Sequence, residues 1–313
     1  MATTPLSRVW LITGSSRGFG RRLAEAVLEH GDRLVATARH PEQLGDLVAR
    51  DGAQVRAVPL DVTDPEQARA AVAAAVEAFG RLDVVVNNAG YGYMAAIEDA
   101  NEADLRAQIE TDLWGVINVT RAALPILHQQ RSGHIVQFSS IAGRGGIAGM
   151  AAYHTAKWAV EGFSEALAQE VAPLGIKVTI IEPGGFRTDF NVSSLRETPP
   201  SADYQPTVGP VMGFFHEVAG HEPGDPAKAA QAIIAIVNEE HPPLRLLLGR
   251  DAVQLARQLD QADLAAIDRW EQLSTSTDFE GLTNPAESER ALQALLTPRD
   301  EGGRQVSGQV NRG

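Results

Sequence analysis

Cysteine is absent from the 313 residues, which excludes disulfides, cysteine nucleophiles and thiolate metal sites. Lysine is scarce: Lys157, Lys177 and Lys228 are the only three among 27 Lys and Arg, so arginine carries nearly all the positive charge. Aromatic residues make up 5%, and tyrosine occurs four times. Asp and Glu number 40, for a formal net charge of −13; nucleic acid or an anionic membrane surface is therefore not the expected partner. No run approaches the roughly 18 apolar residues of a membrane span. The opening MATTPLSRVWLITG has no basic segment leading into a long apolar run, so no signal peptide is expected and a cytoplasmic location is.

Apart from these shortages the composition is ordinary for a globular protein, 44% hydrophobic and 21% charged. Short β-branched apolar runs alternate with Ala/Leu-rich stretches of helical period. The strand-like runs are VWLIT (9–13), RLVATA (33–38), VRAVPL (55–60), LDVVVN (82–87), HIVQFS (134–139), KVTIIE (177–182) and LRLLLG (244–249). Among the helical stretches, DPEQARAAVAAAVEAFG places Asp64 as N-cap, Pro65 at the first helical position and Gly80 just past the end. Strands apolar throughout predict a sheet covered on both faces. The β-α-β alternation then predicts an α/β protein with a doubly wound, parallel, seven-stranded sheet, a Rossmann fold, in one domain over residues 1–250.

Two regions depart from the alternation. Residues 189–225 form a Pro/Gly-rich insertion with an apolar patch at Met212, Phe214 and Phe215, and are expected to be a substrate lid. After Gly249, DAVQLARQLDQADLAAIDRWEQL reads as an amphipathic helix opening a helical extension over 251–297. Residues 298–313 are polar and Gly-rich, a flexible tail by composition.

The first strand runs directly into TGSSRGFGRRLAEAV. Gly14, Gly18 and Gly20, with Ser16, Arg17 and Phe19 between them, make G-x-x-x-G-x-G. Such glycines let the backbone turn sharply and approach a pyrophosphate at a helix N-terminus. Roughly 20 residues further on, a dinucleotide site places an acid for NAD or an arginine for the 2′-phosphate of NADP. Ala38 holds the acid's place, Arg39 follows it, and Arg17 lies in the glycine loop. Two guanidiniums and no carboxylate favour NADP(H) over NAD(H), because arginine grips phosphate as a fork. NNAG (87–90) ends the fourth strand, on the edge where such sheets bind ligands. FSSIAGRGG places Ser139 and Ser140 at the next strand end, and Tyr153 and Lys157 follow in AAYHTAKWAV. Positions i and i+4 share one helix face.

In this order T-G-x-x-x-G-x-G, N-N-A-G, Ser140, Y-x-x-x-K and EPGGFRT (182–188) resemble the short-chain dehydrogenase/reductase family, over about residues 7 to 250. The glycine spacing is similar to its single-domain branch, and PPLRLLLGRDA to its ketosteroid- and retinoid-type reductases. The resemblance implies a hydride transfer between a nicotinamide and a carbonyl or secondary alcohol. It makes Tyr153 the general acid/base. It also makes Lys157 the cation that lowers the tyrosine's pKa and bonds the nicotinamide ribose, and Ser140 the donor to the substrate oxygen. It places Pro183, Gly184, Phe186 and Thr188 at the nicotinamide, Asp61 and Val62 beside the adenine, and Asn88, Ala89 and Gly90 along the ribose. It further implies a homodimer or homotetramer joined through the long helices near 112–130 and 152–172. One position departs: where the family has N-L-x-G, this chain reads ETDLWG, with Asp112 for the asparagine. If the family's asparagine acts through its carbonyl, Asp112 serves as well; if through its amide, a donor is lost. A carboxylate there also pairs with Lys157 and weakens its hold on Tyr153. A working enzyme is expected, with an oxidation pH optimum above that of an Asp112→Asn variant.

Other features carry less. HEVAGH (216–221) has one residue too many for H-E-x-x-H: positions i and i+5 lie about 140° apart on a helix, so no metal site is expected. His154 is a lining or surface residue off the Tyr/Lys face. Tyr91, Tyr93 and Met94 either line a substrate pocket or pack their loop. Trp114 and Trp158 are expected in a core or a subunit interface. Against the enzyme stand a non-catalytic dinucleotide-binding sensor or scaffold, and a dehydratase or epimerase using the same pair. A sensor has no need of the Ser140/Tyr153/Lys157 set, which favours the enzyme. A hydrophobic ketone or aldehyde is the expected substrate.

Overall fold

The computed structural model describes residues 7–279, together with Arg290 and Leu292; the expected tail at 298–313 lies outside the described residues. Seven parallel strands form one sheet. They are β1 (Val9–Ile12), β2 (Arg33–Ala38), β3 (Val55–Pro59), β4 (Val84–Asn87), β6 (Gly133–Phe138), β7 (Ile176–Pro183) and β9 (Arg245–Leu248). Their order across the sheet is β3-β2-β1-β4-β6-β7-β9. The order reverses between β1 and β4, and such a switch point opens a crevice at the carboxyl ends of the strands. Ile12, Ala38, Asn87, Phe138 and Pro183 all end on that edge.

Alternate residues of the strands feed two cores, as a period of two demands. Trp10, Ile12, Leu34 and Ala36 pack under α1 (Gly18–Glu29) and α8 (Pro226–Asn238). Val9, Leu11, Val35 and Val85 pack under α3 (Pro65–Phe79), α5 (Gly115–Gln130) and α6 (Ala151–Val171). The helix ends follow from capping chemistry. The Asp64 carboxylate accepts from the Glu66 and Gln67 amides, Pro65 stands in the first turn, and Gly80 closes α3 in the left-handed conformation at φ 80°. Asp225 caps α8 in the same way.

Three features lay beyond the sequence pattern. Two three-residue strands, β5 (Gly92–Met94) and β8 (Leu195–Glu197), pair in parallel as a small second sheet. The 189–225 stretch holds β8 and a helix, α7 (Gln205–Val218). The chain ahead of α5 is α4 (Glu102–Ile109) followed by a π turn at Glu110–Trp114, which carries Asp112. Trp114 and Trp158 are 45% and 52% exposed, so neither packs a core within this chain. The chain divides into two compact units, Met1–Leu259 and Asp260–Gly313. A further helix, α9, runs Arg250–Thr275; in the second unit Leu264, Ile267, Trp270 and Leu273 are exposed. Among the described residues no helix is long and apolar enough to cross a membrane.

Candidate active site

At the carboxyl edge of the sheet lies a cavity of about 1310 Å³. Every residue singled out from the sequence for cofactor or catalysis lines it, apart from Gly20. Gly20 instead lets α1 start hard against the loop: a Cβ there would run into the Gly14 carbonyl and the Asn88 amide. Gly14 and Gly18 are left-handed, at φ 67° and 57°, a conformation that glycine adopts without a steric penalty. Asn88 does more than line the cavity. Its Nδ2 donates to the Thr13 carbonyl at 2.9 Å and to the Gly14 carbonyl at 3.3 Å. The buried Thr13 hydroxyl accepts from the Asn88 and Ala89 amides, each at 2.9 Å. The N-N-A-G turn thus braces the glycine loop from behind.

Arg17 is the N-cap of α1, with extended backbone and no side-chain capping bond. Arg39 lines the cavity and forms no ion pair among the described residues. The Asp61 carboxylate turns onto Thr63, accepting from its amide at 3.0 Å and its hydroxyl at 2.8 Å. Val62 is buried against Gly115. Phe19 stacks between Phe138 and Phe186, with ring centres 5.5 and 5.0 Å away, so the start of α1 packs against the residues that follow β7.

On α6, Tyr153 and Lys157 share the face that meets this cavity. Lys157, 6% exposed, donates from Nζ to the Phe138 carbonyl at 3.1 Å and stands 5.5 Å from the centre of the Tyr153 ring. Ser140 Oγ accepts from the Ala142 amide at 3.1 Å and lies 3.5 Å from the Pro183 carbonyl. Asp112, fully buried, places Oδ2 3.4 Å from Lys157 Nζ, while Oδ1 accepts from the Tyr91 amide at 3.2 Å. The expected Asp112–Lys157 pair is therefore present. Burial pushes the Asp112 carboxyl up to about 6, only partly countered by Lys157. Burial also works against the Lys157 ammonium, but Asp112 and Tyr153 more than offset it and its pKa is raised. The Tyr153 phenol is raised by burial first and by Asp112 second, against the opposing pull of Lys157 and Ser140.

Among the remaining candidates, Tyr91 lines the cavity, whereas Tyr93 and Met94 are buried in the β5 packing. His154 is a lining residue, its Nδ1 2.8 Å from the Ala142 carbonyl. Phe214 and Phe215 line the cavity and Met212 is not among its lining residues. α7 ends at Val218, so His221 stands outside the helix that carries His216, whose Nε2 lies 2.8 Å from Glu197.

Sequence reasoning missed several residues that hold the site. Asp189 Oδ2 accepts from the Gly18 amide at 3.1 Å, and Arg17 Nη1 donates to Ser193 at 3.1 Å, tying the 188–194 segment to the glycine loop. Asp251 in the first turn of α9 accepts from the Gly185 amide at 2.6 Å. Buried Glu182 pairs with Arg144. Of these, Glu182, which opens the EPGGFRT motif, and Asp189, directly after it, carried a signal in their positions.

A family model described as short chain dehydrogenase matches residues 8–199. The chain belongs to the short-chain dehydrogenase family. As such it is an oxidoreductase of that type. It is 49% identical over 273 residues to the oxidoreductase BOA17 of Botryotinia fuckeliana, covering 87% of this chain and 100% of that one. A short-chain dehydrogenase from Streptomyces avermitilis is 42% identical and superposes with a TM-score of 0.82, over 88% of this chain and 100% of the other. A short chain dehydrogenase from Burkholderia cenocepacia, solved in complex with NADP, is 26% identical with a TM-score of 0.66, over 84% and 97%.

Proposed function

We propose that this short-chain dehydrogenase uses NADP(H) to interconvert a hydrophobic ketone or aldehyde and its alcohol. One observation carries the reading: Ser140, Tyr153 and Lys157 line the same cavity as the glycine loop. The chain's own groups fit a dinucleotide. A Cβ at Gly14 would lie 3.0 Å from the Ala89 backbone, so glycine there lets the loop sit close against the N-N-A-G turn. The Gly18 amide at the start of α1 bonds the Asp189 carboxylate; the amides after it in the first turn would serve a pyrophosphate. Arg17 and Arg39 both line the cavity and would serve a 2′-phosphate, with no carboxylate at position 38 to favour an unmodified ribose. The Burkholderia neighbour's bound NADP points the same way.

When bound, the nicotinamide supplies or accepts the hydride. In reduction the Tyr153 hydroxyl gives its proton to the carbonyl oxygen while Ser140 donates a hydrogen bond to that oxygen as charge builds on it. In oxidation Tyr153 must first be ionised, which Lys157 favours and Asp112 opposes. With Asp112 ionised, the buried Asp112–Lys157 pair leaves Tyr153 protonated, the form that serves reduction. The apolar wall of Phe214, Phe215, Leu255 and Leu259 suits a hydrophobic substrate. Residues 189–225 act as its lid. Trp114 and Trp158 are the exposed aromatics through which a homodimer or homotetramer would form.

A screen of steroidal, retinoid-like and aryl ketones and aldehydes, run with NADPH and NADH in parallel, tests this. Carbonyl-dependent NADPH consumption is expected. Tight dinucleotide binding with no consumption across the screen would replace the enzyme by a sensor, and a strong NADH preference would sink the Arg17/Arg39 reading.

A further inference from the structure

Behind the catalytic pocket four ionisable side chains meet largely out of water. Glu182, fully buried, is the penultimate residue of β7, directly before Pro183 and Gly184. Arg144 closes the short turn Ile141–Gly143 that follows Ser140. Its guanidinium spans the Glu182 carboxylate as a fork, Nε to Oε1 at 2.7 Å and Nη2 to Oε2 at 3.1 Å. Arg245 of β9 stands 3.7 Å from Glu182 Oε1, and the same nitrogen donates to Glu161 Oε2 at 2.9 Å. Glu161 lies one turn beyond Lys157 on α6. Gly143 packs so closely over it that a Cβ would come 2.9 Å from Glu161 Cγ and 2.7 Å from Ser139 Oγ.

Buried ion pairs are weak stabilisers, because well-packed apolar side chains hold a fold as firmly. What a bidentate fork adds is orientation: two parallel hydrogen bonds fix the guanidinium in plane and in direction. Arg144 is four residues from Ser140, and Ser140 Oγ lies 3.5 Å from the carbonyl of Pro183, the neighbour of Glu182. The turn that presents the Ser140 hydroxyl is therefore held to the end of β7 at two adjacent points.

We infer that the Arg144–Glu182 fork, backed by Arg245 and Glu161, is a positioning device that aims the Ser140 hydroxyl at the substrate oxygen. The inference rests on the oxidoreductase reading above. The fork sets the height and rotation of the 140–144 turn against β7, and Arg245 keeps Glu182 in place from the far side.

The test is the double variant Arg144→Met/Glu182→Leu, which removes both partners and leaves neither of them as an unpaired buried charge. It is compared with wild type, alone and combined with Ser140→Ala, for NADPH affinity and for reduction of trifluoroacetophenone. The expected double variant folds and binds NADPH within about twofold of wild type. Its kcat falls on the order of 10- to 100-fold, as for a reacting group misplaced by about 1 Å. Adding Ser140→Ala then costs little more, because the hydroxyl is already out of place. A kcat within about twofold of wild type, or a Ser140→Ala loss of equal size in both backgrounds, overturns the inference. If the double variant does not fold, Glu182→Gln, which keeps the shape and drops the charge, is put through the same cycle with the same two outcomes. Wild type that leaves this ketone unreduced counts against the proposed carbonyl reduction alone. A crystal structure of the variant then decides: Ser140 Oγ displaced by about 1 Å from its place beside the Pro183 carbonyl supports the fork, and an unmoved Ser140 defeats it.

Discussion

The two halves of the cavity are held together in different ways. On the side of β1, β2 and β4 the wall is backbone, with glycines in the left-handed conformation, pinned across two adjacent strand ends by the Thr13 hydroxyl, which accepts from the Asn88 amide, and the Asn88 side chain, which donates to the Thr13 carbonyl. On the side of residues 183–225 the wall is loop and helix tethered by single carboxylate and amide side chains, Asp189 to Gly18, Asn191 to Glu222 at 2.7 Å and Asp251 to Gly185. The first arrangement tolerates almost no change of shape. The second tolerates many side chains, which is where substrate choice belongs. The contrast teaches that a rigid cofactor cradle and an adjustable roof are built from different bonds.

Damage to the rigid half should be the most severe. Gly20→Val would drive a side chain into the Gly14 carbonyl, and NADPH affinity measured by fluorescence titration should fall by roughly 100-fold or more, an overpacking penalty of about 3 kcal/mol. Arg17→Ala or Arg39→Ala should weaken NADPH by roughly tenfold each, as expected for a lost charged hydrogen bond, and leave NADH within about twofold. Equal losses for the two cofactors would move the 2′-phosphate site elsewhere. In the adjustable half, Phe214→Ala should raise KM for an apolar ketone a few-fold while kcat holds, the mark of binding shared by ground and transition states. A kcat loss without a KM change would place Phe214 at the reacting atoms rather than in the roof.

The smallest effect is expected where the halves join. Asp112 bonds the Tyr91 amide on one side and pairs with Lys157 on the other. Its charge holds the proton on Tyr153, so Asp112→Asn removes a reason for the phenol to stay neutral and lowers its pKa. The pH–rate profile for alcohol oxidation should then rise at lower pH than in wild type. An unmoved or higher limb would show that Asp112 does not govern Tyr153.

The same contrast explains what the sequence made legible. The glycine loop, N-N-A-G and Tyr153/Lys157 are local patterns whose spacing is dictated by a turn or by one helix face, and apolar strands announced the sheet. The small β5/β8 sheet was hidden because three residues give no period to read. Asp189 to Gly18 and Arg144 to Glu182 join positions 171 and 38 residues apart, and such pairs leave no trace in local spacing. Trp114 and Trp158 lie in long helical stretches, but helix membership does not say which face points outward, and both are exposed. Asp112 was visible as a departure. Its near-complete burial and its 3.4 Å approach to Lys157 were not.

The central claim, that Tyr153 is the proton donor of a dinucleotide-dependent carbonyl reduction, is tested most directly by single-turnover reduction of an apolar ketone with bound NADPH in wild type and Tyr153→Phe. The account predicts carbonyl-dependent NADPH oxidation in wild type and a loss of roughly 100- to 10,000-fold in the variant, with NADPH affinity within about twofold because the ring is kept. A Tyr153→Phe enzyme as fast as wild type would contradict it.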